Sequence, residues 1–165
     1  MKNITLIIPA KDESESLPIV LRRLNKFDYK KIVVVHRSDK KTIDAIKKLK
    51  TKIIYQNNTG YGDALIKGIS SCKTKFFCIF NADGSFKINE IQKMKKMIDK
   101  ENLNFVFGSR YQVNSGSQDD TIITYLGNFF FTKIGQLFFN IPITDILYTF
   151  VVGKTSSAKK LKLKL

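Results

Sequence analysis

The sequence has few of the residues on which metal and redox chemistry often depend. It contains two cysteines, Cys72 and Cys78, and one histidine, His36. The cysteine spacing matches no zinc or redox motif. Nothing argues for disulfide bonds, which fits a reducing compartment. A metal site built on His36 alone is not expected.

Long apolar runs are also absent. No stretch reaches the roughly 18 apolar residues that a membrane-spanning helix requires. The most apolar region, residues 121–152, is interrupted by polar and charged residues. The start of the chain leads through a short apolar run to Pro9 and then to charged residues, unlike a secretory signal peptide. We therefore expect a cytoplasmic location, including the inner face of the membrane.

Acidic residues are scarce relative to basic ones. Lysine and arginine number 29 against 14 aspartates and glutamates, so the net charge is +15. Such an excess suggests an anionic partner, namely nucleic acid, an anionic membrane or a phosphorylated ligand. A merely lysine-rich, solvated surface is the alternative. No aromatic-basic recognition motif is present, so we do not expect nucleic acid binding.

The hydrophobic pattern alternates between strand-like and helix-like segments over the 165 residues. Buried strands are predicted at Ile4–Ile8, Ile32–Val35, Lys52–Tyr55, Phe76–Phe80 and Phe105–Phe107. Segments with helical spacing lie between them. Ser14 or Ser16 is the expected cap of the first helix, and Ser38 or Asp39 of the second. The pattern predicts an α/β fold with a Rossmann-like, mainly parallel sheet and helices on both faces.

Ligands of such sheets bind at the carboxyl ends of the strands, so the loops there hold the candidate site. The fourth strand delivers Asp83 to this edge, with Asn81 beside it. Hard cations prefer oxygen ligands and share them with substrate phosphates, so Asp83 and Asn81 are the candidate metal ligands. A simple Asp-Gly turn is the alternative.

Three other strand-end loops carry candidate binding residues. Residues 57–64 place two glycines at the start of a helix, where the helix N-terminus favours an anion. The alternative is a plain turn and helix cap. Residues 9–13 carry a carboxylate pair that can contact a base or ribose, or complement a helix dipole. Residues 108–111 include Arg110, which can hold a phosphate or pair with Asp83.

The character of the chain changes after Tyr111. Residues 112–120 are polar, and residues 121–139 are rich in aromatics and predict an amphipathic helix with a wide apolar face. We interpret 1–111 as the ligand-binding α/β part and 112–165 as a segment of the same domain that faces an acceptor, a membrane or a partner. A peripheral membrane contact and a covered dimer or core face are both consistent with the aromatic helix.

Taken in order, these segments resemble the family-two glycosyltransferases of glycosyltransferase-A fold, and most closely their dolichyl- or polyprenyl-phosphate sugar synthase branch. The matching segments are Ile7–Glu13, Val33–Asp39, Gly60–Gly68, Asn81–Ser85, Gly108–Tyr111 and Thr144–Asp145. The resemblance implies an enzyme of cell envelope biosynthesis, an inverting hexosyltransferase that moves a sugar from a nucleotide sugar to a lipid phosphate or glycan acceptor.

The resemblance also implies site residues. A divalent Mg²⁺ or Mn²⁺ would bridge the donor diphosphate to Asp83. Arg110 would position a phosphate acceptor, and Asp145 would be the base for a hydroxyl acceptor, with Asp119 and Asp120 as second choices. The implied donor-binding residues are Pro9, Ala10, Asp12, Glu13, His36, Ser38, Gly60, Gly62, Asp63, Asn81 and Ala82.

The chain departs from the family pattern in two residues and in length. Asn81 replaces the usual first aspartate, and His36 replaces the aspartate that commonly reads the base. Family members usually continue well beyond Gly153, so we expect a C-terminally truncated chain. The alternatives to the lipid-phosphate transferase are therefore a catalytically degenerate fragment that still binds nucleotide sugars, and a transferase acting on a hydroxyl.

Overall fold

The computed structural model describes residues 3–111 and 122–164, and of the latter range the side chains from 126 onward. The described elements are β1 (Ile4–Ala10), α1 (Ser16–Leu24), β2 (Lys30–Val35), α2 (Lys40–Ile46), β3 (Lys52–Tyr55), α3 (Tyr61–Ser71), β4 (Phe76–Ile79), α4 (Ile88–Lys100), β5 (Phe105–Phe107), α5 (Ile122–Phe139), β6 (Val151–Lys154) and α6 (Thr155–Lys160).

The strands form one mixed sheet in the order β3-β2-β1-β4-β6-β5. β1 pairs in parallel with both β2 and β4, and β2 pairs in parallel with β3. β6 pairs antiparallel with β4. The α/β class and the mainly parallel sheet are thus as predicted, whereas β6 and α6 were not anticipated.

Both faces of the sheet are covered, as the uninterrupted burial of β1 and β4 requires. On one face, α3 and α6 pack through Ala64 and Ala158 against Ile7, Val34 and Phe77. The buried faces of α1 and α4 carry Leu17, Val20, Leu21, Leu24, Ile91, Met94 and Ile98. Met97, which the helical spacing had placed on the same face of α4, is exposed.

The two helix caps turned out differently. Asp39 caps α2, because its side chain accepts a hydrogen bond from the Thr42 amide. The prediction that Ser14 or Ser16 caps α1 is wrong: the cap position is Glu15, and no side chain bonds to the first turn there. The Ser16 hydroxyl donates instead to the Glu13 carboxylate. The Ser16 hydroxyl is therefore bonded to Glu13 and does not cap the helix.

The chain divides into two compact units, while the functional division at residue 111 stays a prediction. The first combines 1–106 with 151–165, because β6 returns to the sheet, and the second is Phe107–Phe150. The acceptor-side role predicted for residues 112–165 stays a prediction. Over residues 3–111 and 122–164, no helix is both long and apolar enough to span a membrane.

The second unit is built around α5, whose inward side is polar. Asn128 Oδ1 accepts from the Leu147 amide at 3.1 Å, and Thr132 Oγ1 accepts from the Ile146 amide at 3.2 Å. Gln136 donates to the Ile143 carbonyl at 2.9 Å. The large apolar residues point outward and are exposed, namely Leu126, Phe129, Phe130, Phe131, Leu137, Phe138 and Phe139. A usual surface helix buries its apolar side and exposes its polar side, whereas α5 has polar side chains on its inward side and exposed phenylalanines and leucines.

Candidate functional site

A cavity of about 950 Å³ opens in the first unit at the carboxyl ends of β1, β2 and β4 and beside the start of α3. This is the edge at which the parallel topology predicts ligand binding. Its lining residues are Pro9, Ala10, Lys11, Asp12, Glu13, His36, Ser38, Asp39, Lys40, Lys41, Gln56, Thr59, Gly60, Tyr61, Ala64, Asn81, Ala82 and Asp83.

The cavity brings together most of the residues that the sequence singled out. The predicted residues among its lining are Pro9, Ala10, Asp12, Glu13, His36, Ser38, Gly60, Asn81, Ala82 and Asp83. Gly62 and Asp63 are not part of the lining. The buried Asp63 carboxylate accepts from the Asn57 and Asn58 amides at 3.0 and 3.2 Å, so it shapes the loop before Gly60.

Asp83 lies just beyond β4 with its side chain exposed. Its Oδ1 accepts from the Ser85 amide at 2.8 Å, in a turn that Gly84 closes with a φ of 82°. The Asn81 amide nitrogen lies 3.4 Å from Ser85 Oγ. Among the described residues, no group of three or more His, Cys, Asp or Glu forms a metal cluster. One exposed carboxylate beside an amide suits a hard cation that takes its other ligands from phosphate and water.

The His36 ring is fixed by its own loop. The Ser38 backbone amide donates to His36 Nδ1 at 3.3 Å, and Ser38 Oγ lies 2.6 Å from the same nitrogen. A backbone amide can only donate, so Nδ1 acts as the acceptor and Nε2 carries the ring proton. His36 therefore offers the cavity a hydrogen-bond donor, where a carboxylate would offer an acceptor.

The loops after β1 and β2 are bonded to each other. The Asp12 amide donates to Asp39 Oδ2 at 2.9 Å, and the Glu13 amide donates to Thr42 Oγ1 at 2.9 Å. Burial alone would raise the pKa of Asp39, but hydrogen bonds from Thr42 and the Asp12 amide outweigh it and hold the pKa below its ordinary value. Asp39 is thus both a helix cap and a link between two walls of the cavity.

Several residues that line the cavity were not among the predicted binding residues. Lys11, Lys40 and Lys41 bring positive charge to a wall that also carries carboxylates, and Gln56 and Tyr61 bring polar groups beside β3 and α3. Lys11 stands inside a motif that was recognised for its neighbours. The two α2 lysines follow the Asp39 cap directly. Their adjacency to predicted site residues is the signal that could have revealed these three.

Arg110 and Asp145 pair with each other in the second unit. Arg110 Nε and Nη2 donate to Asp145 Oδ2 and Oδ1 at 2.9 and 3.0 Å, and the Arg110 amide adds a bond of 3.0 Å to Oδ2. Asp145 is 1% exposed. The ion-pair partner of Arg110 is therefore Asp145, whereas the sequence had suggested Asp83 as an alternative partner. Asp119 and Asp120, named as further bases, lie outside the described residues.

Known proteins are similar to this chain in sequence. The chain is 29% identical over 147 residues to an uncharacterised protein of Methanocaldococcus jannaschii, covering 86% of this chain and 60% of that protein. The chain therefore spans about 60% of that relative's length.

Solved structures share the fold. Mannosyl-3-phosphoglycerate synthase from Rubrobacter xylanophilus superposes with a TM-score of 0.73 at 12% identity, covering 94% of this chain and 54% of that one. Glucosyl-3-phosphoglycerate synthase from Mycobacterium tuberculosis, in complex with Mn²⁺, UDP-glucose and phosphoglyceric acid, gives 0.69 at 12% identity, covering 94% and 57%.

The fold is thus shared with solved structures, and a family model extends the match along the sequence. That model, described as glycosyl transferase family 2, covers residues 5–162 and so includes all the residues that line the cavity. This chain belongs to glycosyl transferase family 2.

Proposed function

We propose that the protein transfers a sugar from a nucleotide sugar to an acceptor that carries a phosphate. The observation that carries this proposal is the cavity of about 950 Å³, which gathers Asp83, His36 and the Asp12-Glu13 loop at one sheet edge. Its size lies near the upper end of the usual range for cofactor-sized ligands, which suits a nucleoside diphosphate bearing a sugar.

The sheet order suggests how such a donor would lie. Asp83 follows β4 and His36 follows β2, with β1 between those strands. Neighbouring strands are about 4.8 Å apart, so these two strand ends are separated by about 10 Å. A donor whose diphosphate lies at Asp83 would extend across the end of β1 and bring its base to His36. The Nε2 proton of His36 would then meet a hydrogen-bond acceptor on the base.

Asp83 and Asn81 would hold the Mg²⁺ or Mn²⁺ of this reaction. When bound, such an ion offsets the negative charge that builds up on the leaving diphosphate. Asn81 contributes no charge, so Asp83 would supply most of the protein's negative charge at the ion. Lys11, which also lines the cavity, would add positive charge toward the phosphates.

The acceptor in this proposal is a polyprenyl phosphate, which is already a nucleophile and needs no strong base. Arg110 would position its phosphate, and Asp145 would hold the guanidinium in place. Both oxygens of the Asp145 carboxylate are engaged by Arg110, so this geometry favours an orienting role over that of a base. The M. tuberculosis neighbour is described with phosphoglyceric acid, so a small phosphorylated hydroxyl acid is the second candidate acceptor.

A lipid acceptor also suits the exposed surface of α5. Leu137 is 79% exposed and Phe138 and Phe139 are each 73% exposed, and Lys133 lies over the Phe129 ring at 5.7 Å. An exposed helix rich in phenylalanine and leucine, with a lysine among them, suits contact with the headgroup region of a lipid surface. We propose that α5 contacts the lipid surface that carries the acceptor.

The test is a donor and acceptor panel with the full chain. UDP-, GDP- and CDP-sugars are each incubated with Mg²⁺ or Mn²⁺ and with either polyprenyl phosphate or 3-phosphoglycerate, and sugar transfer is followed by mass spectrometry. Transfer that disappears in Asp83→Ala supports the proposal. The matched control is Asp44→Ala, which removes an exposed carboxylate of α2 outside the cavity.

Two results would change the conclusion. Metal-dependent donor binding without transfer to either acceptor, or hydrolysis, would favour the degenerate binding fragment. Failure of every donor to bind in the presence of either metal would overturn the proposal itself.

A further inference from the structure

We infer that Asp39 and Thr42 are positioning residues that hold the Asp12-Glu13 loop in the shape that binds the donor. The inference rests on the proposed function for its ligand, but the contacts behind it are contacts within the chain itself. Neither residue was named as a binding residue: Asp39 was expected as a helix cap at the end of the matching segment Val33–Asp39, and Thr42 was not singled out.

The first contact acts on Asp12. Its backbone lies in the left-handed region with a φ of 58°, which a non-glycine residue adopts at a cost. The Asp12 amide donates to Asp39 Oδ2 at 2.9 Å, a bond to a charged acceptor. The Asp39 carboxylate thus opposes the tendency of Asp12 to relax into an extended or helical conformation.

The second contact acts on Glu13 through a buried hydroxyl. Thr42 is fully buried, and its Oγ1 accepts from the Glu13 amide at 2.9 Å. The Thr42 amide donates in turn to Asp39 Oδ1 at 3.1 Å, so Thr42 links the two contacts. The two loop amides, the hydroxyl and the carboxylate therefore form one connected network, in which each group fixes the next.

The network lies directly behind the cavity wall. Asp12, Glu13 and Asp39 all line the cavity, whereas Thr42 does not, so Thr42 can act on a ligand only through the loop. A loop held in its binding conformation before the donor arrives avoids the ordering cost on binding. Loss of the network should therefore weaken donor binding more than it slows the chemical step.

The experiment compares Thr42→Val, Thr42→Ser and Asp39→Asn in the full chain. Thr42→Val keeps the shape but removes the acceptor for the Glu13 amide, whereas Thr42→Ser keeps the hydroxyl. Thr42→Val should raise the donor KM about tenfold at nearly constant kcat, the factor expected for one lost hydrogen bond. Thr42→Ser should restore the wild-type KM. Asp44→Asn removes a carboxylate from the same helix at a site away from the network, and it should leave KM unchanged.

Hydrogen exchange separates this inference from the proposed function. The Asp12 and Glu13 amides should exchange about tenfold faster in Thr42→Val and Asp39→Asn than in the wild type, with or without a working acceptor. If no sugar is transferred, titration with UDP and GDP replaces KM. The inference is overturned if the exchange of both amides is unchanged, or if Thr42→Val lowers thermal stability while KM and nucleotide affinity stay at wild-type values.

Discussion

Arg110 and Asp145 form a bidentate ion pair, in which Nε and Nη2 of the guanidinium lie 2.9 and 3.0 Å from the carboxylate oxygens Oδ2 and Oδ1. The arginine backbone amide bonds to the same carboxylate. The Asp145 side chain is 0% exposed and that of Arg110 is 23% exposed. The pair thus ties the segment after β5 to the segment before β6.

Asp145→Asn is therefore expected to destabilise the protein. It leaves the guanidinium without its buried counter-charge, and breaking a buried pair costs about 3 kcal/mol. Urea denaturation measures the change, with Asp44→Asn as an exposed control. An unaltered free energy of unfolding together with a loss of kcat would instead point to Asp145 as the base.

Asn81→Asp should strengthen metal binding. It places a second carboxylate beside Asp83, and the affinity of a hard cation rises with the charge of its ligands. We expect a gain of about tenfold in Mn²⁺ affinity, equivalent to about 1.4 kcal/mol. Isothermal titration with Mn²⁺ and UDP measures it. An unchanged or weakened affinity would mean that residue 81 does not face the ion.

Asp39 should contribute to acid sensitivity. Its folded pKa lies below the ordinary value of 3.8, so the unfolded chain binds the proton first. Its stabilising contribution is complete above that value and is lost as the pH falls through the lower, folded pKa. Asp39→Asn should therefore flatten the acid side of the stability profile below about pH 4 and reduce stability at neutral pH. Parallel acid-denaturation curves for both proteins would contradict this.

Gly68→Ala should destabilise the first unit. A methyl group there would collide with Ile7 Cγ2 and lie 3.2 Å from Val34 Cγ2, because α3 packs closely on β1 and β2. Overpacking of this kind costs about 1–3 kcal/mol. At Gly127 of α5 a methyl group would meet nothing within 4 Å, so Gly127→Ala should be neutral or slightly stabilising. Thermal unfolding of the two variants measures the contrast.

Phe130→Ser combined with Phe138→Ser should abolish binding to vesicles. Both rings are exposed on α5, so their removal should leave the free energy of unfolding nearly unchanged while removing apolar area from the contact. Co-sedimentation with phosphatidylglycerol vesicles measures binding, and Ile19→Ser on α1 is an exposed apolar control. A wild-type dimer that the double variant dissociates would identify a second copy as the occupant.

The sequence predicted the elements whose signals are local. β1 to β5 were found because each combines a compact apolar run with turn or polar residues at its end. β6 was missed because it is a run of four residues with a glycine at its third position. Its place in the sheet depends on Gly153, where a side chain would collide with Phe105 and Phe77, and no local pattern reveals such a distant contact.

The candidate site divides in the same way. Asp83 and His36 could be named because each lies shortly after the end of a buried strand. The network of Asp39 and Thr42 could not, because it joins two loops that are 27 to 29 residues apart in the chain. The inward polar stripe of α5 was also hidden, since periodicity shows which residues share a face but not which face is buried.

β5 and β6 are neighbours in the sheet, and the chain leaves the first at Phe107 and re-enters the second at Val151. The Gly108 amide donates to the Phe150 carbonyl at 2.7 Å, so the two ends of the segment between these strands lie side by side. Such an attachment allows the intervening segment to lengthen, shorten or be exchanged during evolution while the sheet keeps its register.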